Sequence, residues 1–392
     1  MRVLIFFTFI SFFSFGQQND KNLAYQYYLN GEYEKAIIIY ESLSKEKVSL
    51  ISYYIGYYSC LLKTQEFKKA EILATTVYRL YPNNLKIPLE IGIAQAKQGN
   101  TKKSENTYSK VFKKLEKKQS QTINLANTFV RHEMYDQALS VYLFSESLNS
   151  SSNYAMQKAQ LYSNLEKTDL MIKEYLNMLN NNQYNKSFVI SKIQKFLDND
   201  GISSDKNYKL VKRILLPYVR NDQDRTDFSE ILIWLFMQNA QYDLALKQAK
   251  ALDMRFQLEG QEVYDLAEVF LDKKYYDLAV QAYDYILTKG DRNELFIASN
   301  INRLYALTKR KDKNEYDLIA INRLYQEIID RVGKNRKTIL LLSNYAHFQA
   351  FYLNDLSAAS NTLNTAMTIP NISKMDLAEC KLEYADIMLL KG

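Results

Sequence analysis

Glycine and proline are scarce in this chain, whose 392 residues include only 10 Gly and 4 Pro. Tight turns, hairpins and flexible linkers depend on these residues, so the shortage argues against a division into two or three ordinary domains. Two Cys cannot build a disulfide scaffold, and two His cannot build a histidine-rich metal site. Hydrophobic residues make up 47% and charged residues 24%, which excludes disorder and supports a large buried core.

Motifs for catalysis are also missing. Neither GxGxxG nor GxxxxGK[ST] occurs, so no glycine-rich phosphate loop is expected. His132-Glu133 begins like the helix of a zinc protease, but the second His is absent and Glu133 lies at an expected turn. The carboxylates are scattered, and no spacing pairs two of them for acid–base work. We therefore expect no catalytic residue, no cofactor and no metal site.

The N-terminus predicts an export signal. Met1 and Arg2 form a short positive start, and uncharged, mostly apolar residues follow from Val3 to Phe15. Small residues at Ser14 and Gly16 predict cleavage after Gly16. The apolar run is too short to cross a bilayer, which needs about 20 residues. The mature chain is therefore predicted to be exported and to lack a transmembrane span.

The two cysteines are far apart in the sequence. Cys60 and Cys380 each lie inside an apolar helical pattern. Export permits disulfides, but this setting favours two small buried hydrophobic side chains. No disulfide is expected.

A regular sequence period runs through the chain. The segment Gly31–Ala36 is followed one period later by the similar segment Gln65–Ala70, and the pattern continues at Gly99 and Glu133. It returns downstream with Tyr242, and again one period later with Tyr276. Self-similarity at a fixed period of about 34 residues is the signature of a repeat architecture.

This spacing resembles the tetratricopeptide repeat family over nearly all the mature length. The resemblance implies an all-α fold, a right-handed α-solenoid of about ten helix-turn-helix repeats. First helices would line the concave surface and second helices the convex one. Tyr58 and Gln160 occupy sites that usually hold a small residue, so we expect looser packing there. Small residues open the second helices at Ala36, Ala70, Ala138, Ala245, Ala279 and Ala359, with aromatic residues three positions before most of them at Tyr33, Phe67, Tyr135, Tyr242 and Tyr276.

The repeats differ in length. Pro217 is expected to kink the end of one second helix, and Lys309–Lys313 is predicted to be an inserted loop. The last helix lacks a partner, so we expect either a longer chain or a partner that covers the open edge. The predicted organisation is a signal peptide at 1–16, five contiguous repeats at 17–186, an irregular helical pair at 187–225, two repeats at 226–293, a repeat with an insertion at 294–339, one repeat at 340–377 and the first helix of an incomplete repeat at 378–392.

The concave surface is the predicted binding site, because exposed aromatic and Met side chains supply contact area for recognition. The alternative is that packing between repeats buries many of them. Trp234 is the primary candidate, and His347, at a site for a small buried residue, is expected in the core or the groove. The predicted groove residues are Tyr25, Tyr28, Ile55, Leu62, Ile93, Trp234, Met237, Tyr264, Phe348 and Phe351.

The net charge is +7, from 51 basic and 44 acidic residues. Much of it lies in Lys102–Lys118, which spans a turn and a second helix. We interpret this stretch as a solvated helix face. The alternative is contact with an anionic envelope polymer or with lipid head groups. Export disfavours nucleic acid as a partner.

The function that these patterns favour is a non-catalytic scaffold that binds a protein segment in its groove. The composition, rich in Asn, Lys, Ile and Tyr, and the junction Phe13–Gln18 resemble cell-envelope proteins of Bacteroidota. That resemblance implies a periplasmic or envelope-associated location with protein partners. One alternative is a glycan- or polymer-binding envelope protein, although a lipid-bearing Cys and a large insertion are missing. Another is the helical part of a longer protein with a further domain beyond residue 392.

Overall fold

The computed structural model describes residues 19–45, 47–149, 153–198, 204–221, 224–310 and 315–391. The predicted signal peptide, residues 1–16, lies outside the described residues. Every regular element within them is helical, and this confirms the all-α prediction. No helix in these ranges is long and apolar enough to cross a membrane. The chain divides into two compact units, Met1–Tyr184 (unit 1) and Asn185–Gly392 (unit 2).

Unit 1 is built from consecutive helical pairs. Its helices are α1 (19–29), α2 (Tyr33–Leu43), α3 (Tyr54–Lys63), α4 (Phe67–Leu80), α5 (Lys86–Lys97), α6 (Thr101–Phe112), α7 (Gln119–Val130), α8 (Tyr135–Leu148), α9 (Ala155–Asn164) and α10 (Thr168–Asn180). The short 3-10 helix Lys47–Ser52 precedes α3. α5 packs against α4, α6 and α7, and α9 packs against α8 and α10. Each pair thus buries its apolar face against its neighbours.

Unit 2 repeats this arrangement. Its helices are α11 (Lys186–Asp198), α12 (Ser204–Asn221), α13 (Asp227–Gln238), α14 (Tyr242–Phe256), α15 (Gln261–Asp272), α16 (Tyr276–Leu287), α17 (Phe296–Lys309), α18 (Glu315–Val332), α19 (Ile339–Phe351), α20 (Leu356–Met367) and α21 (Lys374–Lys391). First helices of successive pairs touch, since α17 contacts both α15 and α19, and α19 contacts α21. The described helices α1–α20 therefore form ten consecutive helix-turn-helix pairs, followed by α21.

The sequence period is visible in the positions of the helices. Wherever the structure describes the whole turn before a second helix, that turn contains a residue with left-handed backbone, such as Gly99 at φ +82° and Glu133 at φ +60°. Because this conformation ends a helix, it separates the first helix from the second. Second helices begin at a constant interval at Tyr33, Phe67, Thr101 and Tyr135, and the same interval separates Tyr242 from Tyr276.

Small residues sit where paired helices cross. A Cβ atom added at Gly92 would lie 2.4 Å from a ring carbon of Tyr108 on α6, so α5 and α6 can approach this closely only with glycine there. Cys60 and Cys380 are both buried and free, as expected. The alanines that open the second helices are fully buried at Ala36, Ala70, Ala138, Ala245, Ala279 and Ala359.

The two pairs of irregular length, α11–α12 and α17–α18, are also formed by two consecutive helices in contact. α12 runs through Pro217 and continues to Asn221. α17 ends at Lys309 and α18 begins at Glu315, and residues 311–314 of the predicted loop lie outside the described residues. Pro82 follows the end of α4, and Pro88 lies in the first turn of α5, where its missing N–H costs no helical hydrogen bond.

Candidate functional site

Helices α13 and α15 of unit 2 carry three of the predicted groove residues at their surface. Trp234 and Met237 on α13 and Tyr264 on α15 are all half-buried. α13 buries most of its side chains, from Phe228 to Phe236, against its neighbours. Its remaining surface is therefore narrow, and Trp234 and Met237 contribute to it.

A hydrogen-bonded group fixes Tyr264 between two first helices. The Asn302 side-chain amide on α17 donates to a carboxylate oxygen of Glu268 at 2.8 Å and lies 3.3 Å from the Tyr264 hydroxyl. The Tyr283 hydroxyl donates to the same Glu268 carboxylate. Burial, together with this carboxylate, raises the pKa of Tyr283 well above its ordinary value. The group aligns α15 and α17 and holds the Tyr264 ring at the surface.

An aromatic cluster continues this surface on α17 and α19. We define the cluster as Tyr305, Lys309, His347, Phe351 and Tyr352. The Lys309 ammonium lies 5.4 Å from the centre of the Tyr305 ring and 5.8 Å from that of the Tyr352 ring. A hydrogen bond to Tyr352 raises the pKa of Lys309, which keeps the amine charged. The cation therefore joins rings from two first helices.

The outer part of the aromatic cluster is accessible. The rings of His347 and Phe351 stack with centres 4.4 Å apart. Tyr305 is 44% exposed and Phe351 is 46% exposed. Exposed aromatic rings held by stacking lose little side-chain entropy when they contact a partner, so they suit recognition. Of this cluster, the predicted groove residues included Phe351, and His347 was expected in either the core or the groove.

His347 also links the aromatic cluster to α21. Its Nδ1 lies 2.9 Å from a carboxylate oxygen of Glu383. The His347 side chain is exposed, so the core alternative for this residue is wrong.

Unit 1 exposes a second apolar surface on its first helices. Tyr25 on α1 and Ile55 on α3 are both exposed. The rings of Tyr25 and Tyr28 stack with centres 6.1 Å apart. Tyr28 and Leu62 are partly buried against the core of this unit. Of these four predicted groove residues, Tyr25 and Ile55 are therefore accessible to a partner, whereas Tyr28 and Leu62 are only partly accessible.

Two predicted groove residues are buried. Ile93 is inaccessible because α5 is packed against α4, α6 and α7, which cover nearly all of its faces. Phe348 is inaccessible because α19 is packed among α17, α18, α20 and α21, and its ring lies 5.3 Å from that of Tyr325. Neither side chain is available to a partner, so these two positions do not belong to an accessible groove.

A buried carboxylate in unit 1 was not anticipated. Glu90 on α5 is only 3% exposed, and the Tyr54 hydroxyl donates to it at 2.6 Å. Arg131 reaches its other carboxylate oxygen at 3.4 Å, and the Tyr58 hydroxyl donates to the Glu90 backbone carbonyl at 2.5 Å. Burial raises the pKa of Glu90, although Tyr54 and Arg131 oppose this.

This network ties α3, α5 and the end of α7 together. Tyr58 is fully buried in it, and α3 and α4 pack less closely than paired helices such as α9 and α10, in agreement with the looser packing expected at Tyr58. The other residue of that expectation, Gln160, is exposed on α9. The one sequence signal for the network was a single carboxylate, Glu90, inside the apolar run Ile87–Ala94.

The basic stretch Lys102–Lys118 lies on α6 and the loop that follows. All of its lysine side chains are exposed. Lys103 pairs with Glu71 at 2.8 Å, and Lys118 pairs with Glu116 at 2.6 Å. The stretch is thus an accessible cationic face of a second helix, as expected.

The described residues offer no group suited to a metal ion. No cluster of three or more His, Cys, Asp or Glu side chains lies together among them. Glu133, next to His132, occupies a turn with left-handed backbone rather than a helix. The arrangement expected of a zinc protease helix is therefore not formed there.

Compared with models of known protein families and with curated protein sequences, the chain matches none. Among solved structures, yeast Tom70 is 13% identical, with a TM-score of 0.31 over 96% of this chain and 97% of that chain. The P58(IPK) TPR domain is also 13% identical, with a TM-score of 0.25 over 96% of this chain and 99% of that one. The C-terminal part of a TPR repeat-containing protein from Cytophaga hutchinsonii is 12% identical, with a TM-score of 0.27 over 74% of this chain and 98% of that one. The chain is similar to these structures among others, and its helical repeat fold is established by the helix pairing described above.

Proposed function

We propose that this protein is a non-catalytic scaffold that binds a segment of a protein partner on the first-helix surface of unit 2. The observation that supports this most directly is the aromatic cluster, where Tyr305 and Phe351 are exposed on adjacent first helices. Aromatic anchors of this kind dominate the binding energy of many protein interfaces. Lys309 and His347 add polar contacts at the same place.

The chemistry of this surface favours a partner segment with apolar or aromatic side chains. Tyr305 and Phe351 offer ring faces, while Tyr264 and Glu268 provide a polar continuation on α15. An extended segment of the partner that lies across α15, α17 and α19 would contact both these aromatic rings and these polar groups. Contact with several first helices at once is how repeat arrays form extended binding surfaces.

The proposed location is the cell envelope. The apolar N-terminal stretch from Val3 to Phe15 supports export, with cleavage after Gly16. In that compartment the exposed lysines of Lys102–Lys118 would provide a separate contact with anionic polymer or lipid head groups.

Affinity capture from envelope extract tests the proposed site. The Tyr305→Ala/Phe351→Ala variant removes both exposed rings from first helices, and Leu244→Ala/Ile319→Ala removes two exposed apolar side chains from second helices. We expect one protein to bind wild type and the second-helix variant, and to be lost at least about tenfold with the first-helix variant. Equal capture by both variants, or capture of glycan without protein, would contradict the proposal.

A further inference from the structure

The last described helix, α21, has two apolar faces. Cys380 and Ile387 are fully buried and belong to the core that α19 and α20 share with α21. On the other side, Met375 is 73% exposed, Leu382 is 68% exposed and Leu389 is 80% exposed. Since each helical residue advances by about 100°, these three side chains lie on the opposite side of the helix from the buried pair.

The outer face has the spacing of a coiled coil. Ala378 and Ala385 are also exposed and lie between the three large side chains. The five positions are thus separated by alternating steps of three and four residues, the heptad pattern that joins two helices along a seam. The alanines allow close approach, because small side chains at a contact shorten the distance between helix axes to about 8 Å. We call these five residues the outer stripe.

Charged residues flank the outer stripe with opposite signs on its two sides. Lys374 and Lys381 lie along one side, and Glu379 and Asp386 lie along the other. All four are exposed, and no ion pair joins them within the described part of the chain. In heptad terms the lysines occupy g positions and the carboxylates occupy e positions.

This charge pattern is complementary to itself in one orientation. In a parallel pair of such helices, Lys374 faces Glu379 of the second copy, and Lys381 faces Asp386 of the second copy. In an antiparallel pair, lysine would face lysine and carboxylate would face carboxylate, and both contacts repel. The charges therefore favour a parallel second copy of this helix.

We propose that α21 pairs in parallel with α21 of a second copy of this chain along the outer stripe. The same stripe is used on both copies, as two-fold symmetry requires. Packing of Cys380 and Ile387 on the core already holds α21 helical, so pairing does not have to fold the helix first. This inference does not depend on the proposed partner surface.

Sedimentation velocity over a range of protein concentrations measures the pairing. Leu382→Glu places a charge in the centre of the seam and is expected to raise the dimer dissociation constant at least about tenfold. Met254→Glu is the matched control, because Met254 is similarly exposed but lies on α14. A wild-type protein that stays monomeric throughout, or an equal effect of both variants, would overturn the proposal.

Charge reversal tests the orientation. Lys381→Glu is expected to weaken the dimer about fivefold, since two-fold symmetry places the change in two contacts. Adding Asp386→Lys should restore the dimer, because the swapped pair is again complementary. If the double variant is weaker than the single one, the proposed charge pairing is wrong.

A cysteine at one end of the seam gives an independent measure. Met375→Cys should form an intermolecular disulfide, because a parallel pair places position 375 beside its equivalent. An antiparallel pair would place it beside Leu389, about 21 Å from its equivalent. A dimer that fails to crosslink through this cysteine would exclude the parallel arrangement.

Discussion

His132 is a residue whose burial gives unit 1 a pH dependence. Its ring lies against Tyr58, with ring centres 5.9 Å apart in an edge-on arrangement. Burial lowers the pKa of His132 from 6.5 to about 4, and the cations Arg131, Lys97 and Lys63 add to this effect. The imidazole is therefore neutral in the folded protein at pH values where a solvated histidine would be charged.

We predict that acid destabilises the protein through His132. The unfolded chain binds the proton first, so stability is complete above pH 6.5 and falls as the pH drops towards 4, by about 2–3 kcal/mol. His132→Gln should remove this slope when chemical denaturation is measured at several pH values. Glu90, whose raised pKa acts in the opposite direction, is present in both proteins and cancels in the comparison. Identical slopes would contradict the assignment.

The hydroxyl of Tyr54 is predicted to stabilise unit 1 through Glu90. Both groups are buried, and their hydrogen bond is 2.6 Å long. Tyr54→Phe should lower the free energy of unfolding by about 1.5–3 kcal/mol, because hydrogen bonds to charged groups have this size. Tyr25→Phe, at an exposed ring, is the control and should have no effect. A Tyr54→Phe melting curve that matches wild type would show that the network carries little energy.

At the scale of elements, the turn between paired helices is the most regular feature. Gly99 has φ +82° with open space where a Cβ atom would stand, and Lys274 has φ +63° at the equivalent place. We expect Gly99→Ala to cost about 1 kcal/mol, and Lys274→Gly to stabilise by about 0.5–1 kcal/mol, because only glycine adopts this backbone freely. Thermal unfolding measures both changes. Effects of the reverse sign would show that the turn geometry is wrong.

The crossing of α13 and α14 gives a second prediction. Ala245 on α14 is fully buried, whereas Ala251 on the same helix is exposed. Ala245→Leu should cost about 1–3 kcal/mol by overpacking, and Ala251→Leu should be nearly neutral. Denaturant titration of the two variants compares the same chemical change on opposite faces. Equal costs would mean that α14 is rotated relative to the arrangement described.

The helices were predictable because their signals are local. An aromatic residue such as Tyr242 begins a second helix, and a small residue such as Ala245 follows at the crossing. The Glu90 network was not predictable, since Tyr54 and Arg131 reach it from other helical pairs. Ile93 and Phe348 were misassigned for the same reason: whether a first-helix side chain is exposed depends on what the next pair places over it.

For the whole molecule, repetition explains how the chain folds without many glycines, prolines or disulfides. Each pair is completed by its neighbours, so stability accumulates along the stack within each unit. The repeated positions fix the architecture, while the residues that depart from the repeat, such as Lys309 and His347, create local surfaces. The residues of the proposed binding surface therefore lie at positions that do not follow the repeat. The sequence period alone does not identify these residues.

Site-specific photocrosslinking in the producing cell tests the central claim that the first-helix surface of unit 2 binds a protein. A benzophenone amino acid at position 305 lies on α17, and one at position 319 lies on the second helix α18. We predict a single protein adduct from position 305 that is lost with Phe351→Ala, and none from position 319. An adduct from position 319 alone, or no protein adduct from position 305, would contradict the account.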